Sequence, residues 1–247
     1  MTKTIKVLLI ATSMVLFLVS TTLHILSVYA QPQQGDGRGT TASVANAGDS
    51  TLVFKGNSFF IQGNYTQAIQ YYDKALAVDP SNKVALNNIG AAFVRLGNFS
   101  QAIQYYDKAL AVDPNYKEAL NDKGTALLEL GNYSQAIRYY DKALAIDPHF
   151  KDALDGKGES LNGVGNYTQA IPYLDKALAI DPNYTVALND KGAALYKLGN
   201  YSQAIQYFDK ALAIDPNYKA AFDNRQATVS KMGNVSSSSS ASEGGGR

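Results

Sequence analysis

The side chains best suited to catalysis are few and isolated in this chain of 247 residues. Cysteine is absent, and the two histidines are His24, in an apolar N-terminal stretch, and His149, in a predicted loop. A lone histidine has no partner with which to form a nucleophile–base pair or a metal site. No glycine-rich phosphate-binding motif accompanies it. The sequence therefore predicts no catalytic residue, no metal ligand and no cofactor, and a protein that is not an enzyme.

A different chemistry, N-glycosylation, is indicated by a motif that recurs along the chain. Asparagine followed two residues later by serine or threonine is the acceptor pattern for this modification. A structural explanation of the same residues stays open, because asparagine also caps a helix and serine or threonine suits its first turn. The candidate acceptors are Asn64, Asn98, Asn132, Asn166, Asn183, Asn200 and Asn234.

Most of these motifs belong to a repeat of 34 residues that fills the middle of the chain. The segment 68–80 returns almost unchanged from Ala102, Ala136, Ala170 and Ala204. Such a period predicts stacked units that bury one another's apolar faces and present a long binding surface rather than a closed pocket. The five units span residues 49–82, 83–116, 117–150, 151–184 and 185–218.

Each unit has the hydrophobic spacing of two helices. In the second unit Leu86, Ile89 and Phe93 share one helical face, and Ala102 and Tyr106 begin another after a Gly-Asn turn. An Asp-Pro pair ends the second helix. Residues 219–233 match only a first helix, so we expect a capping helix whose Phe222 packs on the fifth unit. The predicted fold is all-α.

The fourth unit carries residues that disfavour helix. Gly156 and Gly163 lie in its first helix, at a cost of about 1 kcal/mol each relative to alanine. Pro172 lies in its second helix, where an interior proline costs about 3 kcal/mol. Two interpretations remain: a hinge, or drift that the neighbouring units tolerate.

The N-terminal residues 1–30 predict export. Lys3 and Lys6 precede an uncharged run over 7–30, which ends in the small-residue site Val28-Tyr29-Ala30 of a signal peptide. The run is also long enough to span a bilayer, which takes about 20 residues, so an uncleaved anchor is the alternative. Both interpretations place the repeats outside the membrane, secreted or on the cell surface. Residues 31–48 are predicted to be a flexible linker, and residues 234–247 a disordered Ser/Gly-rich tail.

The charge of the chain argues against a nucleic-acid partner. Its 22 basic residues nearly cancel its 21 acidic ones, which leaves a net charge of +1 and no basic stripe for a phosphate backbone. The only predicted association with a membrane is through the N-terminal segment. The oligomeric state is not predicted.

The repeat resembles that of the tetratricopeptide repeat family, and its combination with an export signal and sequons resembles exported archaeal members. One departure is lysine at an otherwise apolar position in four units; we expect its stem to pack and its charge to reach solvent. These lysines are Lys55, Lys123, Lys157 and Lys191. The positions that carry the resemblance are, in the second unit, Leu86, Ile89, Gly90, Phe93, Ala102, Tyr106, Ala109 and Pro114.

The resemblance implies a right-handed α-solenoid superhelix whose first helices line a concave groove. Acidic residues near its centre favour a basic segment, and the recurring asparagines favour the main chain of an extended peptide. Asn and Asp stand where some chaperone-binding members carry the lysines of a carboxylate clamp. The implied groove residues are Asn87, Asn88, Arg95, Glu118, Asn121, Asp122, Glu129, Asp152, Asp155, Glu159, Asn189, Asp190, Tyr196 and Lys197.

Taken together, the sequence predicts an exported or membrane-anchored scaffold that binds a protein or extended peptide in this groove. The alternative is a structural glycoprotein of the cell surface, whose repeats act as a spacer without a specific ligand.

Overall fold

The structure is a computed structural model that describes residues 40–243, with side chains described for 50–233. The chain divides into two compact units, residues 1–44 and 45–247. Of the first unit only residues 40–44 are described, and they are helical. The predicted signal or anchor segment 1–30 and residues 31–39 of the predicted linker lie outside the described residues.

The described residues form eleven α-helices and no strand. The predicted all-α array of five hairpins and a C-terminal helix is therefore confirmed. We number the helices in chain order, so that the first helix of each unit and the C-terminal helix have odd numbers and the second helices have even numbers. The helices are α1 (Thr40–Ile61), α2 (Tyr65–Val78), α3 (Lys83–Arg95), α4 (Phe99–Val112), α5 (Lys117–Glu129), α6 (Tyr133–Ile146), α7 (Lys151–Gly163), α8 (Tyr167–Ile180), α9 (Thr185–Lys197), α10 (Tyr201–Ile214) and α11 (Lys219–Glu243).

A glycine makes the turn between the two helices of every unit. These glycines have φ between 74° and 81°, a left-handed conformation that side chains with a Cβ rarely adopt. The asparagine that follows caps the second helix in two units: Asn64 Oδ1 and Asn98 Oδ1 accept hydrogen bonds from the backbone N–H groups of Gln67 and Gln101. The turn glycines are Gly63, Gly97, Gly131, Gly165 and Gly199.

Within a unit, an aromatic ring of the second helix packs on a glycine of the first. Tyr106 is 1% exposed, and a Cβ added to Gly90 would lie 2.5 Å from its ring. Gly192 meets the ring of Phe208 at the same distance. The two helices therefore approach closely at this point, and only glycine leaves room for the ring.

The first helices form the more crowded layer of the array. Each of α3, α5, α7 and α9 contacts the next first helix along the chain, whereas within the described residues the backbones of different even-numbered helices stay more than 8 Å apart, Cα to Cα. Residues of neighbouring first helices therefore lie side by side, and the side chains on them combine into one surface.

Two predicted boundaries and one predicted contact differ from the structure. Helix α1 begins at Thr40, within the predicted linker, because residues 40–47 contain alanines and no glycine or proline, so the helix extends upstream of the repeat. Helix α11 extends through the serine-rich residues to Glu243. Phe222 is 49% exposed; Ala221 and Thr228 occupy the buried positions of the capping helix instead.

Close packing explains the glycines of the fourth unit. A Cβ on Gly156 would lie 2.4 Å from the ring of Tyr140, and one on Gly163 would lie 2.7 Å from the ring of Tyr133. Helix α8 continues without interruption through Pro172, which is exposed. The glycines are therefore required by aromatic neighbours from the third unit.

None of the helices in residues 40–243 has both the length and the apolar character needed to cross a membrane.

Candidate functional site

The predicted groove residues all lie on the odd-numbered helices or next to them, and together they form what we call the first-helix surface. Their exposure differs by position. Asn87, Asn121, Asp155 and Asn189 are buried, and Arg95, Glu129, Asp152 and Lys197 are exposed. The remaining members are partly buried: Asn88, Glu118, Asp122, Glu159, Asp190 and Tyr196.

Hydrogen bonds between neighbouring first helices join residues that are 35 positions apart. Asn87 Nδ2 donates to Asp122 Oδ2 at 2.9 Å, and Asn224 Nδ2 donates to Asn189 Oδ1 at 2.9 Å. In both pairs the fifth residue of one unit contacts the sixth residue of the next. We call this series the polar ladder. An amide at the fifth position can satisfy either a carboxylate or another amide.

The polar ladder is interrupted at the fourth unit. Asn121 stands 35 positions before Gly156, which has no side chain, and Asn121 Oδ1 has no hydrogen-bond partner. The next pair in the series is Asp155 and Asp190, two carboxylates. Asp155 Oδ1 and Asp190 Oδ2 are both buried without a hydrogen-bond partner. The fourth unit thus replaces an amide–carboxylate pair by two acids.

The interruption has a strong electrostatic effect. Burial and, second to it, the Glu159 carboxylate raise the pKa of Asp155 from 3.8 to about 7, although a hydrogen bond from Tyr184 acts in the opposite direction. Burial also raises the pKa of Asp190 well above its usual value, and Asp155 and Glu159 add to that increase. The pKa of Glu159 is raised by burial and by Glu129. These acids therefore repel one another within a poorly solvated surface.

At Asp122, hydrogen bonds from two amides limit the increase in pKa that burial causes. Burial raises the pKa, and hydrogen bonds from Asn87 and Asn121 lower it in part. The bond from Asn121 Nδ2 to Asp122 Oδ1 is 3.2 Å long. Asp155 has no amide partner of this kind, and its hydrogen bond comes from Tyr184 instead.

The unusual lysines of the repeat are turned away from these acids. Lys123, Lys157 and Lys191 are 6–9% exposed, and each ammonium group forms an ion pair with an aspartate of the preceding second helix, 16 positions earlier. For these three lysines the prediction that the charge reaches solvent is therefore wrong, because an aspartate lies at the end of each stem, whereas the fourth lysine, Lys55, is exposed. Those partners are Asp107, Asp141 and Asp175.

A small cavity of about 250 Å³ lies at the N-terminal end of the first-helix surface. Asn57 Oδ1 accepts hydrogen bonds there from the Tyr72 hydroxyl at 2.8 Å and from Asn88 Nδ2 at 2.9 Å. Phe60 and Ile61 supply its apolar lining. Sequence reasoning did not identify Asn57, Gly156 or Asn224 as parts of this surface. The replacement of Asn-Asp by Asp-Gly at 155–156 was a visible signal.

The candidate glycosylation sites lie on the outside of the turns. Each asparagine of the inter-helix turns is exposed, as is Asn183, whereas Asn234 lies beyond the described side chains. Within residues 50–233 no group of histidines or carboxylates has the arrangement of a metal site. The exposed turn asparagines are Asn64, Asn98, Asn132, Asn166 and Asn200.

Comparisons with known proteins give a consistent assignment for the repeats. Four family models, each described as tetratricopeptide repeat, match residues 49–115, 87–149, 152–184 and 185–218. The curated proteins give no match.

Solved structures with a similar fold include three that cover most of this chain. YrrB, a TPR protein with an unusual peptide-binding site, has 21% identity and a TM-score of 0.57, over 76% of this chain and 98% of its own. MamA has 27% identity and a TM-score of 0.57, over 65% and 94%. The pilF protein of Pseudomonas aeruginosa has 22% identity and a TM-score of 0.65, over 77% and 93%.

Proposed function

Because the chain belongs to the tetratricopeptide repeat family, whose members are generally protein-interaction scaffolds, we propose that it binds an extended polypeptide along the first-helix surface. The observation that carries this proposal is the polar ladder. Its amides recur at the fifth position of the second, third and fifth units, and two of them keep an Oδ1 acceptor that has no partner within the protein.

Unsatisfied amide atoms on this surface support binding to a peptide main chain. Asn87 Oδ1 and Asn121 Oδ1 are buried acceptors without a hydrogen-bond partner, and such groups favour a ligand that brings a donor. A peptide backbone carries an N–H group at nearly every residue. The similar structure of YrrB is that of a protein with a peptide-binding site, which supports the same type of ligand here.

Site-specific crosslinking tests the proposal. A photoreactive amino acid is placed at Ala193, on the first-helix surface, and in a matched variant at Gln206, on the exposed side of the second helix of the same unit. We expect crosslinked polypeptides only from position 193, and their loss when Asn121 and Asn189 are both changed to alanine. Equal crosslinking from both positions, or none from position 193, would refute binding at this surface.

Export or membrane anchoring is a separate proposal that rests on the sequence of residues 1–30. The positive flank, apolar run and small-residue site are its support. Protease treatment of intact cells should degrade the repeats, and mass spectrometry of the mature N-terminus should distinguish cleavage near Ala30 from an uncleaved anchor. Full protection of the repeats in intact cells, with digestion after lysis, would refute export.

A structural surface glycoprotein is the second candidate, favoured by the exposure of an acceptor asparagine in every inter-helix turn. In this alternative the array acts as a spacer and the first-helix surface has no ligand. The intact mass of the native protein, measured before and after deglycosylation, tests the modification. An unchanged mass equal to that of the polypeptide would remove this candidate.

A further inference from the structure

From the interruption of the polar ladder we infer that Asp155 and Asp190 form a site for one lysine or arginine side chain of the bound polypeptide. The inference rests on the proposed function and adds a specificity determinant to it. The ladder binds without regard to sequence, because amides pair with any main chain. A pair of carboxylates at one step instead selects a cation.

The geometry points to a ligand because both acids have unfilled hydrogen-bonding capacity. Asp155 is 4% exposed and its Oδ1 has no hydrogen-bond partner. Asp190 Oδ2 is likewise buried and unpartnered. A buried carboxylate oxygen without a donor is unfavourable, and an ammonium or guanidinium group supplies the required donors.

Three lysines on the first helices of the fourth and fifth units already form ion pairs with other aspartates. Lys157 and Lys191 bind Asp141 and Asp175 on the second helices. Lys151, the first residue of α7, donates to Asp181 Oδ2 at 3.0 Å. Among residues 50–233, no lysine or arginine forms an ion pair with Asp155 or Asp190. Lys151 acts on Asp155 only through its charge, without an ion pair, so a cation of a bound ligand would supply the contact that these lysines do not make.

A cationic side chain fits this position better than a metal ion. In residues 50–233 no three acidic side chains converge as metal ligands. Glu159 lies one turn after Asp155 on α7 and is only partly buried, so it extends the negative field towards solvent. The long apolar stem of a lysine or arginine separates its charge from its backbone, which suits acids that lie below the solvent-exposed layer.

Binding of three labelled pools of short peptides to the purified protein tests the inference. The pools are degenerate except for a central residue, which is lysine, norleucine or glutamate. Norleucine matches the length of lysine without its charge. We expect the lysine pool to bind roughly tenfold more tightly than the norleucine pool, as a charge-assisted contact implies, and the glutamate pool to bind most weakly.

Two variants distinguish a specific site at Asp155 from a general effect of the protein's negative charge on cationic peptides. Asp155→Asn installs the residue that sister units use at this position, so the fold should be retained, and we expect the preference for lysine to disappear while the norleucine pool still binds. Asp73→Asn removes the same charge from a second helix and should keep the preference. Equal binding of all pools to the wild type would overturn the cation site and leave the scaffold. If no pool binds, the scaffold proposal fails and the cation site with it.

Discussion

Replacement of Asp155 by asparagine tests the electrostatics of the first-helix surface through protein stability. Burial and Glu159 raise the pKa of Asp155 from 3.8 to about 7 in the folded protein, whereas the unfolded chain keeps the ordinary value. A group with a raised folded pKa binds its proton more tightly in the folded state. Its contribution to stability is therefore full below the unfolded pKa and is lost as the pH rises towards 7.

The size of the effect follows from the shift. A difference of about 3 units, at 1.36 kcal/mol per unit, gives at most about 4 kcal/mol of lost stability at neutral pH. Asp155→Asn removes this charge, so the variant should be more stable than the wild type by a few kcal/mol at about pH 8 and nearly equal to it at about pH 4. Its amide also restores the residue type that the polar ladder uses elsewhere.

Urea unfolding followed by circular dichroism, repeated across this pH range, measures the difference. Asp152→Asn is the matched control, because it removes an exposed charge from the same helix and should change stability by less than about 0.5 kcal/mol. A difference between wild type and Asp155→Asn that stays constant from acidic to alkaline pH would refute the reasoning. It would mean that Asp155 ionises as it does in the unfolded chain.

Three further changes test the packing of the repeat by urea unfolding. Gly192→Ala should destabilise by about 1–3 kcal/mol because its Cβ would lie 2.5 Å from the ring of Phe208. In the control Gly233→Ala the added Cβ would meet no other part of the structure within 4 Å, so this change should be neutral or slightly stabilising. Equal effects of the two changes would contradict the close approach at Gly192. Lys123→Ile installs the residue that the second unit has at this position. It should lower the free energy of unfolding by less than about 1 kcal/mol, because the half-exposed partner Asp107 becomes solvated. A loss of several kcal/mol would show that the ion pair is essential. Pro172→Gln should stabilise the protein by about 1–3 kcal/mol, because it restores a backbone N–H group within α8. Amide hydrogen exchange in α8 should also become slower. Unchanged exchange would show that the helix already accommodates the proline.

The fold was predictable from the sequence because the same residue types recur at the same interval. The turn glycines and the glycine–aromatic contact, as at Gly90 and Tyr106, follow from local spacing. The start of α1 was not predictable in this way, since residues 40–48 have no counterpart in the repeat. The position of Phe222 was also wrong, because a single terminal helix gives no second copy against which to check which face is buried.

The candidate site was predictable by position but not by partner. The family resemblance assigned Asn87 and Asp122 to first helices, yet their contact depends on the offset between adjacent units, which only the stacked structure provides. The same offset brings Asp155 against Asp190. The charge of Lys157 was assigned to solvent because the aspartate 16 positions earlier belongs to a different helix. Long-range pairs of this type require the three-dimensional arrangement.

The interruption of the polar ladder affects how a bound polypeptide is positioned along the first-helix surface. A ligand held only by repeated amides can shift from one unit to another at little cost, because Asn87, Asn121 and Asn189 present the same chemical group. A single acidic step at Asp155 and Asp190 differs from all the others, and a cation seated there would fix which ligand residue faces which unit. One substitution in one copy would thus give direction and register to a surface that is otherwise periodic.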